Sequence, residues 1–282
     1  MCDLSIILLV WQDRAYLSAC LAALARAQQE LTMEIILVEN GITLNAAEYA
    51  LPERADKTIT LRKIHNAKNR GVAPARNQGL TAARGRYLML LDTDTLVTQD
   101  ALVNLTRFME ANARVGLAGP RLQDAQGNLQ LTCRKLPTVW SKLLRRLPMR
   151  RAQAALADEM LVGYDHRAPR AVDYVIGACQ IIRRAAYQEV GALDARFFYG
   201  PEDVDYCIRL WRQGWRVMYV PHAVVTHIEQ RVTRQRPFSK LALLHARDLA
   251  RYFWKHKYLF TRPRIQDARG APDSERMAAP RV

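Results

Sequence analysis

Tyr87-Leu88-Met89-Leu90-Leu91-Asp92-Thr93-Asp94-Thr95 is the stretch on which the fold turns. Its first five residues are an unbroken apolar run. An alternating strand has one wet face and an unbroken run has none, so this strand belongs inside a parallel sheet covered on both sides. The run ends in two carboxylates with one residue between them. In open α/β sheets, ligands bind beyond the carboxyl ends of the strands. Two acids held there are costly unless a cation meets them, and hard oxygen donors suit Mg²⁺ or Mn²⁺ carrying a diphosphate. The plain alternative is a strand running out into a solvated turn of Asp and Thr, so the flanking sequence has to decide.

Upstream, Leu4 to Val10 is a second buried run, closed by Trp11-Gln12-Asp13. Leu17, Cys20, Leu21 and Leu24 then recur at helical spacing. Glu34 to Val38 is apolar again and ends in Glu39-Asn40-Gly41. Strand, helix and strand at this separation make a right-handed βαβ unit, with a third strand expected over Thr58 to Ile64. Glycines and Pro74 predict a loop over Asn69 to Pro74 and a helix over Ala75 to Ala83, from which Arg76 could reach a phosphate.

Downstream, Leu102, Leu105 and Met109 mark a helix, and Val115 to Pro120 a strand broken by glycines. Asp124-Ala125-Gln126-Gly127-Asn128 is a turn signal, and the alternation of Leu129, Leu131 and Cys133 predicts a hairpin. Arg134 to Arg151 mixes cations with Trp140, Leu143, Leu144 and Leu147, the composition of an amphipathic interfacial segment or of a docked helix. Ala152 to Arg170 reads as loop. Phe197-Phe198-Tyr199-Gly200-Pro201-Glu202-Asp203-Val204-Asp205 again delivers carboxylates from an apolar run into a helix, where the dipole favours acids in any case. Trp215 to Val220 reads as a short strand, and His227 follows Val224-Val225. Beyond Arg231, basic and apolar residues alternate as in a helix lying on an anionic bilayer. From Thr261 the composition is that of a disordered tail.

The 282 residues suffice for one large α/β domain with appendages, and a 50% hydrophobic content supplies its core. The net charge of +15 points to a polyanionic partner. Cys2, Cys20, Cys133, Cys179 and Cys207 are odd in number and contain no CxxC pair, which argues against a disulfide framework or thiolate zinc site and for a reducing compartment. The apolar run at Leu4 to Trp11 is too short to span a bilayer, and Asp3 precedes it where a signal peptide carries Lys or Arg.

Taken in order, Ser5–Val10, Glu39-Asn40-Gly41, Asn69-x-Gly71 through Arg76-Asn77, Asp92-Thr93-Asp94, and Gly200-Pro201-Glu202-Asp203-Val204-Asp205 with His227 downstream resemble glycosyltransferase family 2. The likeness covers roughly residues 4 to 260 and is nearest to bacterial rhamnosyltransferases of cell-surface polysaccharide synthesis. It implies the GT-A fold: an α/β, Rossmann-like, mostly parallel central sheet flanked by helices, here over residues 1–230, with a basic helical extension and tail over 231–282. It implies an inverting enzyme that moves a sugar from a dTDP- or UDP-linked donor to a glycan or lipid-linked acceptor, with Mg²⁺ or Mn²⁺. By resemblance Trp11, Glu39, Asn69, Arg76, Asp92 and Asp94 hold the nucleotide-sugar. Asp94 and His227 hold the metal, Asp203 is the catalytic base, and Glu202 positions the acceptor. A cytoplasmic protein, peripheral on the inner face of the membrane, is expected.

The departures from the family pattern fall together. Val10-Trp11-Gln12-Asp13 stands where the family has a Thr-Tyr-Asn-like strand end, Glu39 replaces Asp, and Ile42-Thr43-Leu44 replaces a Ser-x-Asp. All lie in the nucleoside pocket, so they bear on base and sugar rather than on reaction type. Two rivals from other classes are a nucleic-acid-binding protein, for which the charge speaks but no nucleic-acid module is found, and a catalytically silent GT-A scaffold that binds glycan.

Overall fold

In the computed structural model, which describes residues 2–11, 14–27, 31–51, 59–143, 150–228 and 239–265, apolar runs become strands and periodic stretches become helices. The first half runs β1 (Leu4–Val10), α1 (Arg14–Ala27), β2 (Met33–Asn40), a 3-10 turn at Ala46–Tyr49, β3 (Thr60–Asn66), α2 (Val72–Ala82), β4 (Tyr87–Asp92), β5 (Thr95–Leu96), α3 (Gln99–Ala111) and β6 (Val115–Gln123). Then come β7 (Leu129–Gln130), β8 (Cys133–Arg134), α4 (Val139–Leu143), α5 (Arg150–Glu159), β9 (Arg170–Ala171), β10 (Tyr174–Val175) and β11 (Cys179–Arg183). The chain continues through α6 (Arg184–Val190), α7 (Glu202–Arg212), β12 (Arg216–His227) and α8 (Lys240–His256).

The main sheet is ordered β3-β2-β1-β4-β11-β6-β12-β5. Its first four strands are parallel. β11 runs antiparallel between β4 and β6, and β12 returns parallel to β6. Alternate residues of β1 face opposite cores: Leu4, Ile6 and Leu8 pack with Leu17, Leu21 and Leu24 of α1, whereas Ile7 lies with Leu80 of α2 and Tyr206 of α7. Both faces are covered, which is why these strands read as unbroken apolar runs. A Leu90→Ala cavity there would cost about 2–5 kcal/mol, a large part of the few-to-fifteen that typically stabilise a domain.

This winding places the site. β1 has β2 on one side and β4 on the other, so the strand order reverses at β1 and a crevice opens beyond the carboxyl ends. The registers Val10↔Glu39 and Leu9↔Asp92 bring the end of β1, Glu39 and Asp92 to that one edge.

Several local expectations shift. α2 begins at Val72 rather than Ala75, because Pro74 falls in its first turn, where an amide has no intrahelical partner to lose. Gly71 precedes it with φ +91°, and a Cβ there would lie 2.8 Å from the Phe198 backbone. β6 is continuous through its glycines, paired on both sides. β12 extends past Val220 to His227 through a register shift that accommodates Pro221. The hairpin forms between β6 and β7, but Cys133 leaves it to pair with Val175 of β10. The loop expected over Ala152 to Arg170 begins as α5, favoured by its alanines and tied down where the Lys142 ammonium meets the buried Glu159 carboxylate at 2.7 Å.

The basic segment after β12 is a helix whose inner side is core: Tyr252 and Phe253, with Tyr258 beyond its end, join the cluster around α7. The part of the Arg134–Arg151 segment at 144–149, the stretch 229–238 and most of the expected tail, 266–282, lie outside the described residues. Among the described residues no helix is long and apolar enough to cross a membrane.

Candidate active site

The two acids of the opening stretch meet a histidine that sequence distance separates from them. β5 pairs antiparallel with the end of β12, His227 opposite Thr95, and the Ile228 amide donates to the Asp94 carbonyl at 2.8 Å. Asp92, Asp94 and His227 each present a donor atom, all within 4.8 Å of one another. His227 Nε2 is 3.6 Å from Asp94 Oδ1. Gln130 of β7 grips the same histidine twice: its Nε2 donates to the His227 carbonyl at 2.8 Å, and its Oε1 lies 2.8 Å from His227 Nδ1. Nδ1–H donating to that oxygen fixes the tautomer in which the Nε2 lone pair faces Asp94. Two carboxylates and an imidazole so oriented fit Mn²⁺ or Mg²⁺. Sequence reasoning missed Gln130, since only the hairpin and the strand register bring it to His227.

Arg76 joins this cluster to the second carboxylate motif. Its side chain is 5% exposed. Nη2 donates to Asp92 Oδ1 at 2.6 Å and to the Gly177 carbonyl at 2.9 Å, and Nη1 to Glu202 Oε1 at 3.3 Å. A Cβ on Gly177 would lie 2.8 Å from Nη1, so glycine there leaves room for the guanidinium. Removing one partner of such a buried pair generally costs about 3–5 kcal/mol. The arginine expected to reach a phosphate is thus committed to two carboxylates and a carbonyl.

Glu202 and Asp203 open α7 and do different things, as adjacent helical residues about 100° apart should. Asp203 accepts from the Gly177 amide at 3.0 Å and the Val204 amide at 2.7 Å, which fix its orientation. Glu202 is buried, and its Oε2 meets no hydrogen-bond partner among the described residues. Burial, reinforced by the Asp203 charge and only partly opposed by Arg76, pushes the Glu202 carboxyl up to about 7. Asp205 faces away from this pair. It is fully buried against Arg209 (3.0 Å), His256 (2.8 Å) and Lys255 (2.5 Å), anchoring α8 rather than only favouring a helix start.

On the opposite side, Trp11 follows β1 and meets the Tyr199 ring edge-on, centroids 6.3 Å apart. Glu39 is fully buried and accepts from the Leu44 amide (2.9 Å), Lys63 (3.2 Å) and His65 Nδ1 (2.7 Å). Burial works against its charge, yet these donors outweigh it and hold its carboxyl below the usual range. Lys63 and His65, partly exposed, therefore present the polar surface here that Glu39 organises. The Asn69 carbonyl oxygen of the side chain accepts from Gly71 N and Asn40 Nδ2, shaping the loop before α2.

The family model described as "Glycosyltransferase like family 2" matches residues 3–250. The N-acetylglucosaminyl-diphospho-decaprenol L-rhamnosyltransferase of Mycobacterium tuberculosis (strain CDC 1551 / Oshkosh) is 25% identical over 86% of this chain and 81% of its own. The poly-beta-1,6-N-acetyl-D-glucosamine synthase of Staphylococcus aureus (strain COL) is 28% identical over 68% of this chain, which spans 42% of that protein. Among solved structures, the mannosyltransferase PcManGT from Pyrobaculum calidifontis in complex with GDP-Man and Mn²⁺ superposes with a TM-score of 0.60 at 17% identity, covering 93% of this chain and 68% of that one. GalNAc-T7 with UDP, GalNAc and Mn²⁺ gives 0.58 at 16% identity over 81% of this chain, which spans 44% of its length. These structural likenesses concern the fold alone, and that fold is GT-A. With the family pattern running from the first strand into the last helix, the chain belongs to glycosyltransferase family 2.

Proposed function

We propose that the protein is an inverting, metal-dependent glycosyltransferase that moves a sugar, rhamnose by its relatives, from a dTDP- or UDP-linked donor to a hydroxyl of a lipid-linked or cell-surface glycan. The observation that carries this is the pairing of two carboxylate centres through one buried arginine: Asp92, Asp94 and His227 on one side of Arg76, Glu202 and Asp203 on the other. The 25% identity to a rhamnosyltransferase with a decaprenol-linked acceptor, over most of both chains, supports the sugar and acceptor class.

In this reading Asp92, Asp94 and His227 hold the cation, which when bound supplies Lewis-acid neutralisation of the departing diphosphate. Asp203, oriented by two amides, takes the proton of the acceptor hydroxyl as that oxygen attacks the anomeric carbon from the face away from the leaving group. One displacement with one base inverts the centre. The buried Oε2 of Glu202 gains the hydrogen-bond partner it lacks when an acceptor hydroxyl arrives, which offsets the desolvation of that oxygen. Trp11, Lys63, His65 and the Asn69 loop surround the nucleoside. The enzyme works in the cytoplasm, at the inner face of the membrane.

The test is thermal stability and nucleotide release with dTDP-, UDP- and GDP-sugars, with Mn²⁺ and with chelator. A melting shift specific to one nucleotide and dependent on metal, with slow donor hydrolysis, is expected. A shift without hydrolysis or transfer would leave the silent scaffold as the better reading, and no shift with any donor would overturn both.

A further inference from the structure

The two sides of α8 differ in kind. The inner side is bolted to the loop that leads into α7, whose first turn carries Asp203. Asp248, fully buried, accepts from the Phe198 amide at 2.6 Å and the Tyr199 amide at 3.1 Å, His245 Nδ1 lies 3.0 Å from the Tyr199 carbonyl, and Asp205 of α7 receives Lys255 and His256. The outer side carries what a soluble surface normally avoids. Leu243 is 66% exposed and Trp254 78%. Eleven residues separate them, about three turns, so they share one side of the helix. Arg247 and Ala250 lie between them on that side and are exposed, and Lys240 and Lys257 stand exposed at its ends. Past the helix, Leu259 and Phe260 are also exposed, and the Phe260 ring packs on Trp140 of α4 with centroids 5.2 Å apart. Residues 239–265 contain seven Lys and Arg against one acid, the buried Asp248.

We propose that this outer stripe of α8, with the Trp140–Phe260 pair, docks on an anionic lipid surface. Charge complementarity selects the occupant: a stripe of exposed Trp and Leu rimmed by cations, with no acid facing out, matches the acyl boundary of a leaflet with negative headgroups. Trp is suited to that depth, its ring apolar and its N–H polar. A clamped helix also presents the stripe rigidly, because its inner anchors are buried charges that would be costly to undo. The proposal rests on the reading above only for its purpose. The lipid-anchored acceptor lies in the same leaflet, and the helix that touches it holds Phe198 and Tyr199, just ahead of Glu202 and Asp203.

The full chain should be sedimented with phosphatidylcholine vesicles and with vesicles in which roughly a third of the lipid is phosphatidylglycerol, at low and high salt. Leu243→Ser with Trp254→Ser tests the apolar stripe, and Lys240→Glu with Lys257→Glu the charge. Wild type should partition to anionic vesicles at least about tenfold better than to neutral ones, less so at high salt, and each double variant should lose about tenfold or more. Donor hydrolysis without vesicles should be the same in all three proteins. That readout keeps a failure of the docking surface separate from a failure of the glycosyltransferase assignment. Equal partition to both vesicle types, or double variants that bind like wild type, would overturn the proposal. So would a dimer in sedimentation velocity that the Leu243/Trp254 variant dissociates, since a second copy would then cover the stripe.

Discussion

Replacing Glu202 by Gln should make the protein more stable relative to wild type as pH rises. Burial, with the Asp203 charge beside it, lifts this carboxyl from 4.5 to about 7 in the fold despite the attraction of Arg76. The folded state therefore keeps a proton that the unfolded chain gives up from about pH 4.5. Stability falls as pH rises through that window and levels off above about 7, because there the fold must hold a charge it disfavours. A displacement of that size corresponds to about 3 kcal/mol at most, or roughly 5 °C in Tm for a chain of this size. The amide of the E202Q variant cannot ionise, so the variant escapes this loss. In parallel melts from pH 4.5 to 8, the gap between E202Q and wild type should widen by that amount and then stay constant. Parallel curves across the whole range would refute the reasoning, since a carboxyl ionising at its ordinary value contributes no such slope.

Asp203→Asn keeps the side chain's size and one of its two amide contacts, loses the other because an amide nitrogen cannot accept, and removes the proposed base, so turnover should fall on the order of 10²-fold or more, with nucleotide and metal affinity nearly unchanged in titrations. If Asp203→Asn is active and Glu202→Gln dead, the two roles are exchanged. Asp205→Asn should act mainly on stability, lowering Tm because the fully buried Asp205 loses its charge toward Lys255, His256 and Arg209, while the variant that folds keeps its nucleotide affinity. Gln130→Leu should weaken Mn²⁺ binding by about 10- to 100-fold, as loss of a group orienting a ligand histidine does, and wild-type affinity in that variant would remove Gln130 from the site. Gly177→Ala should push on Arg76 Nη1 and lower activity more than Tm. Full activity there would mean that the guanidinium position is not critical.

Legible in the chain alone is whatever is local and periodic. Unbroken apolar runs specify strands buried on both faces, and Leu4 to Val10, Glu34 to Val38 and Tyr87 to Leu91 became β1, β2 and β4 because nothing tertiary competes with that pattern. The carboxylate motifs were legible because acids at the end of an apolar run need a reason to be there. Where local signals compete, the sequence was less decisive. Pro74 looks like a loop residue until the first turn of a helix excuses its missing amide, and the alanines of α5 look featureless until Glu159 meets Lys142. Which charges meet is settled only by packing. Arg76 lies 16 residues from Asp92 and 126 from Glu202, and no spacing rule relates such positions. Strand register places Gln130 behind His227, and helix packing turns Asp205 toward α8 and away from Asp203. Side-chain type and period are written residue by residue, but the partner of a buried charge is fixed only when separate elements close on one another, since water would otherwise solvate each charge alone.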